Sequence, residues 1–215
     1  MPNGVLRRTV LLLCAFASAA AGQPAQNPSA IDALIPWLLD ENNALQGIPF
    51  TEVIKATTGK QILPFRANDK TDQRVAKQLG AALDEVVRKM SAPDSAVQSF
   101  ARINEVSGPF EQLLRDLLEA APELSCDFPK TAEEKTQRSG YPDLRLVDDA
   151  GGRVYYLDPK LYAAGSRDSS FRTFYFEPKL ATNKVREDAV HLLIGFEHEE
   201  RQAGHWRFTR WDIVD

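Results

Sequence analysis

Two acidic residues followed by an alanine and two glycines, Asp148-Asp149-Ala150-Gly151-Gly152, separate two stretches in which apolar side chains recur at every second position. That combination is hairpin-turn chemistry between two β-strands. A hairpin dictates which residues face each other, and the apolar residues choose the register. With the loop centred between Ala150 and Gly151, Leu144 faces Leu157 and Leu146 faces Tyr155, so one face is apolar. Arg145 and Tyr156 then pair on the other face, and Asp143 stands opposite Asp158. Lys160 follows two residues on, with its side chain on the same side as Asp158.

This register places two carboxylates with their Cβ atoms about 5 Å apart. Like charges so close repel unless a cation lies between them. Hard oxygen donors suit Mg²⁺ or Mn²⁺. A neighbouring ammonium, Lys160, orients or deprotonates an attacking water or stabilises developing negative charge. The set fits metal-assisted phosphodiester hydrolysis. The plainer reading makes both aspartates solvent-facing strand ends paired with Arg145 or Lys160.

The remaining chain sets this hairpin in a mixed architecture. Val75, Leu79, Leu83, Val86, Val87 and Met90 recur at helical spacing after Thr71, and Phe110 to Leu118 do so within a helix over 108–121. A further helix is expected over 94–106 and another from Ile31 to Leu39. Residues 47–68, with Gly47, Pro49, Gly59 and Pro64, read as an irregular connector with short extended pieces. Strands are expected at 153–158, 171–176, 191–196 and 206–214. Helices followed by strands indicate an α+β or mixed α/β domain.

The first 22 residues have their own pattern: Arg7 and Arg8, an apolar stretch from Thr9 to Ala21, then small residues. This is the layout of a secretory signal peptide, and the apolar stretch is too short to span a bilayer. A periplasmic or secreted, membrane-free mature protein is expected, with residues 23–30 as a linker. That mature chain keeps one cysteine, Cys126, and so forms no internal disulfide.

The segment Pro142-Asp143, fourteen residues, then Asp158-Pro159-Lys160 resembles the PD-(D/E)XK nuclease superfamily, the restriction-endonuclease-like fold. The resemblance covers about residues 108–215, preceded by a helical part over 31–107. It implies an α+β core sheet flanked by helices, a DNA substrate and a Mg²⁺ (or Mn²⁺) cofactor. It also implies metal ligation by Asp143 and Asp158, and Lys160 as the catalytic lysine. Members often add an acid from the preceding helix; Glu111, Glu119, Glu133 and Glu134 are the candidates. Glu177-Pro178-Lys179 also reads acid-x-Lys at the end of an expected strand and rivals Asp158-Pro159-Lys160. Proline at 159 replaces a residue that is usually apolar, and it must sit where the ladder needs no N–H. Arg172 is a candidate phosphate contact, with Ser166, Ser169 and Ser170 nearby. His191 reads as a strand-end core residue. The functional alternative is a catalytically silent domain of the same fold that binds nucleic acid or protein.

The formal charge of −4 disfavours a protein that coats nucleic acid without selectivity. It is unevenly spread: residues 138–186 hold nine Lys+Arg against six Asp+Glu. Mild overall acidity is therefore compatible with a nuclease that has a focused site. No HExxH, GxSxG, Walker or CxxC motif competes with this reading, and three histidines spaced by seven make no zinc pattern.

Overall fold

The period-two pattern around the 148–152 turn forms the expected hairpin. A computed structural model describes residues 49–167 and 182–215. β3 (Leu144–Asp148) and β4 (Val154–Ala163) pair antiparallel, with Leu144 against Leu157, Arg145 against Tyr156 and Leu146 against Tyr155. This is the register that the apolar pairs select. Asp148 closes the turn: its side chain accepts from Gly151 N–H at 2.8 Å, and its carbonyl accepts from Gly152 N–H. Gly152 has a φ of 67°, a left-handed conformation that suits glycine.

Among the described residues, the hairpin is the centre of a six-stranded mixed sheet. β1 (Ile62–Leu63), β5 (Ala189–His198), β4, β3 and β2 (Leu124–Asp127) follow in that order, and β6 (Phe208–Val214) also pairs with β5. β4 and β5 are parallel over Tyr155–Ala163, whereas β2–β3 and β5–β6 are antiparallel. The β1 partners on β5 are Ala189 and Val190, and the β6 partners begin at Leu193, so β1 and β6 share one edge of β5 end to end.

One sheet face carries the main core. α2 (Lys70–Met90) and α3 (Ser107–Glu119) bury Val75, Leu79, Leu83, Phe110, Leu114 and Leu118 against Leu144, Leu146, Tyr155, Leu157, Leu192 and Phe196. The described part of residues 31–107 thus shares one core with residues 108–215. Asp69 caps α2 by accepting from Thr71 N–H at 2.9 Å and Asp72 N–H at 3.2 Å. The opposite face is a smaller cluster of Tyr156, Val154, Val185 and Ala189 with Ile54 of α1 (Phe50–Thr58).

Three expectations are corrected. The connector over 47–68 contains α1. Its Pro49 and Gly59 are helix-end residues: Pro49 directly precedes the first turn, and Gly59 at φ 70° donates its N–H to Lys55 O. The helix expected over 94–106 is replaced by two 3₁₀ turns, Ala96–Ser99 and Ile103–Glu105. The buried Gln98 amide explains this, since it is used for tertiary contacts. It donates to Met90 O and Trp206 O and accepts from Trp206 N–H at 2.6 Å. The last strand starts at Phe208 for the same reason, because Trp206 is bound to Gln98 and Phe100. The expected helix over 31–39 and strand over 171–176 lie outside the described residues, as do residues 1–22. Among the described residues no helix is long and apolar enough to cross a membrane.

Candidate active site

The site forms where β3 ends and β4 continues. Asp143 lies one residue before β3 and donates its backbone N–H to Leu157 O at 3.2 Å. Backbone groups alternate sides along a strand, so those of Leu157 and Pro159 point toward the β3 side. β3 has already ended there. Pro159 therefore removes an N–H that no strand requires, and β4 runs on through it to Ala163 with Pro159 aligned on Ile194 of β5.

Asp158 is buried at 3% exposure, and Asp143 is half-buried beside it. Lys160 Nζ lies 2.7 Å from Asp158 Oδ2 and 3.4 Å from Asp143 Oδ2. One ammonium thus reaches both carboxylates. The contact to Asp158 is an ion pair whose angle does not make a hydrogen bond, so that buried oxygen retains an unfilled acceptor position. Burial, then the charge of Asp143, pushes the Asp158 carboxyl up to about 7, against the opposing pull of Lys160. Burial alone would lower the Lys160 pKa; the two carboxylates outweigh it and hold the ammonium charged.

Of the four helical or loop acids, Glu111 reaches this place. It projects from the first turns of α3 into a cleft of about 740 Å³ that Asp143, Lys160 and Arg138 also line. Burial and the Asp143 charge raise its pKa, while Arg138, 3.0 Å away, counters them. The other three acids are engaged elsewhere. Glu119 accepts from Cys126 N–H at 2.7 Å, Glu133 pairs with Lys135, and Glu134 pairs with Arg186. Arg172, Ser169, Ser170 and the rival Glu177–Lys179 lie outside the described residues. His191 is a buried core residue stacked on Tyr141, with its Nδ1 bonded to the Tyr141 hydroxyl.

Lys184 was not singled out by sequence reasoning. It is 1% exposed, donates to Gln137 O at 3.2 Å, and feels the charges of Asp143, Glu111 and Asp158. Burial pulls its pKa down, and those three acids oppose that pull. Nothing local marks it: it precedes β5 in a stretch with no motif, and only the fold carries it under the site.

No group of three or more His, Cys, Asp or Glu among the described residues is gathered as a ready-made metal site. The pair Asp143 and Asp158 nevertheless suits a divalent ion. It offers carboxylate oxygens, one of them buried without a hydrogen-bond partner. Mg²⁺ ordinarily takes one or two protein carboxylates and leaves its other positions to water and substrate phosphate.

A mixed sheet whose central hairpin continues into a parallel strand pair, with helices packed on its face, is a restriction-endonuclease-like α+β domain. Within that class, the type II restriction enzyme MjaV family matches residues 43–215, and the chain belongs to this family. It is similar to the type II restriction enzyme MjaV of Methanocaldococcus jannaschii, 28% identical over 181 residues, which cover 80% of this chain and 77% of the relative.

Proposed function

We propose that this protein is a divalent-metal-dependent endonuclease that hydrolyses phosphodiester bonds in DNA. The observation that carries the proposal is the contact of one ammonium, Lys160, with both Asp143 and Asp158 where β3 and β4 part. The restriction-enzyme family supplies DNA as the substrate class. Asp143 and Asp158 would hold the ion, Mg²⁺ or Mn²⁺. When bound, it neutralises phosphoryl charge and makes a coordinated water more acidic.

The chain's own residues supply the rest. Lys160, whose ammonium contacts both carboxylates, is the group placed to orient or deprotonate the attacking water or to stabilise developing negative charge. With an ion held by the two carboxylates, the N–H groups of Lys160 would be available to the attacking water and the phosphoryl oxygens. Burial of Asp158 strengthens every electrostatic contact it makes. Export to the periplasm or beyond is part of the proposal and rests on the pattern of residues 1–22 alone. Processing at Ala21 or Gly22, read by N-terminal sequencing of the exported protein, tests it.

The experiment for the activity is cleavage of plasmid and linear duplex DNA with Mg²⁺, Mn²⁺ or EDTA, using the wild type, Asp158→Ala and Lys160→Ala. Cleavage that needs the metal and both side chains supports the assignment. Intact DNA with every metal refutes it, and DNA binding without cleavage returns the silent binding domain.

A further inference from the structure

The cleft beside Asp143 has two cations among its described lining residues, Lys160 and Arg138. Lys160 is engaged by the two aspartates. Arg138 is differently placed. Its side chain is 43% exposed, and its guanidinium lies over the Phe128 ring at 3.7 Å. It donates to Gln112 Oε1 at 3.2 Å, to Gly108 O at 3.4 Å and to Glu111 Oε2 at 3.0 Å. Its backbone is anchored from behind, because the carbonyl of Gln137 accepts from the buried Lys184. Stacking and anchoring hold the planar fork at the cleft wall, so little side-chain entropy is lost when it takes a ligand.

The charged partner of that fork in the free protein is a single carboxylate oxygen of Glu111. Only the arginine side of that pair is open to water: Arg138 is 43% exposed and Glu111 12%, so an incoming anion meets the guanidinium first. A phosphodiester oxygen matches the guanidinium fork better than the single carboxylate oxygen that Arg138 now contacts. Glu111 lines the same cleft as Asp143 and feels its charge, so its release from Arg138 would leave an unpaired carboxylate on the Asp143 side of the site.

We propose that Arg138 is the phosphate clamp of this cleft, exchanging Glu111 for a backbone phosphate of the bound DNA and thereby freeing Glu111 toward Asp143. The assignment rests on the nuclease reading above. No covalent step is involved: one set of charge-assisted hydrogen bonds replaces another.

The test is duplex-DNA affinity by fluorescence anisotropy over a salt series, with Ca²⁺ present, for the wild type, Arg138→Ala and Arg138→Lys. Each phosphate contact contributes about 0.9 to the slope of log affinity against log salt. Arg138→Ala is expected to lower that slope by about one and weaken binding about tenfold. Arg138→Lys is expected to restore the slope but only part of the affinity, because it keeps the charge and loses the fork. A purely structural Arg138 would leave the slope unchanged. An unchanged slope and Kd in Arg138→Ala, while the wild type still cleaves DNA, overturns the clamp and leaves the nuclease reading intact. A wild type that neither binds nor cleaves DNA removes both. If Arg138→Ala melts well below the wild type, Arg138→Gln carries the same comparison, with the same slope loss expected and an unchanged slope again decisive against the clamp.

Discussion

Lys160 Nζ sits 2.7 Å from Asp158 Oδ2 and 3.4 Å from Asp143 Oδ2, at the point where β4 leaves its antiparallel partner β3. One ammonium thus contacts both carboxylates. Removing it takes away charge stabilisation without opening the core, since its side chain is 46% exposed. Lys160→Ala is expected to lower kcat about 100-fold or more with little change in melting temperature. Single-turnover cleavage and a thermal melt on the same preparation check this. A variant that cleaves at the wild-type rate excludes Lys160 from the chemistry.

Glu111 has no direct partner among the aspartates in the free protein, yet it lines their cleft. Glu111→Gln keeps its shape and removes its charge. Divalent-ion affinity, read by calorimetry, is expected to weaken about 10- to 100-fold, as for a group that supports a metal site from its second layer. Unchanged metal affinity would assign Glu111 to helix structure alone.

Asp158 and His191 pull the stability of the metal-free protein in opposite directions as pH changes. The folded state raises the Asp158 pKa from 3.8 to about 7, so it holds a proton that the unfolded chain has lost. Stability from this group therefore falls as pH rises through that window. Burial lowers the His191 pKa from 6.5 to about 4, so the unfolded chain holds the extra proton and stability is lost as pH falls through that window. Urea midpoints at about pH 5 and about pH 8 separate the two. Asp158→Asn is expected to gain more, relative to the wild type, at the higher pH. His191→Phe is expected to fare better, relative to the wild type, at the lower pH. Offsets equal at both pH values would remove these titrations from the account.

Asp72 ties α2 to the hairpin. It is fully buried, accepts from the Tyr155 hydroxyl at 2.5 Å and from Arg66 N–H at 2.7 Å, and lies 3.0 Å from Arg153 Nε. Asp72→Ala leaves the buried Tyr155 hydroxyl and the Arg153 guanidinium without their acceptor and is expected to cost about 3–5 kcal/mol of folding stability. Chemical denaturation measures it; a loss below about 1 kcal/mol would mean that water replaces the carboxylate.

Gly195 faces Tyr162 across the parallel β4–β5 pair, and a Cβ there would lie 2.9 Å from Tyr162 Cε1. The ring cannot easily yield, because its hydroxyl donates to Asp212 at 2.5 Å. Gly195→Ala is expected to destabilise by about 1–3 kcal/mol through overpacking. A neutral effect in the same denaturation assay would show that the ring moves freely.

Sequence alone determined the hairpin. Apolar residues at every second position, Leu144, Leu146, Tyr155 and Leu157, admit one register, because a slip by one residue would turn them all to the wrong face. That register brings Asp143, Asp158 and Lys160 together with no further information. α2 and α3 were equally legible, since their apolar faces repeat every three to four residues. Tertiary structure decided what depends on distant partners. Four glutamates were equivalent in sequence until α3 packed against the sheet and turned Glu111 to the cleft. Pro159 was an anomaly until β3 was found to end before it. Pro49 and Gly59 enclose a helix rather than a loop, and Gln98 gives up a helix to hold Trp206. Lys184 reaches the site only through the fold. Local periodicity specifies which face of an element is buried; which element lies opposite is a long-range contact that no window of sequence contains.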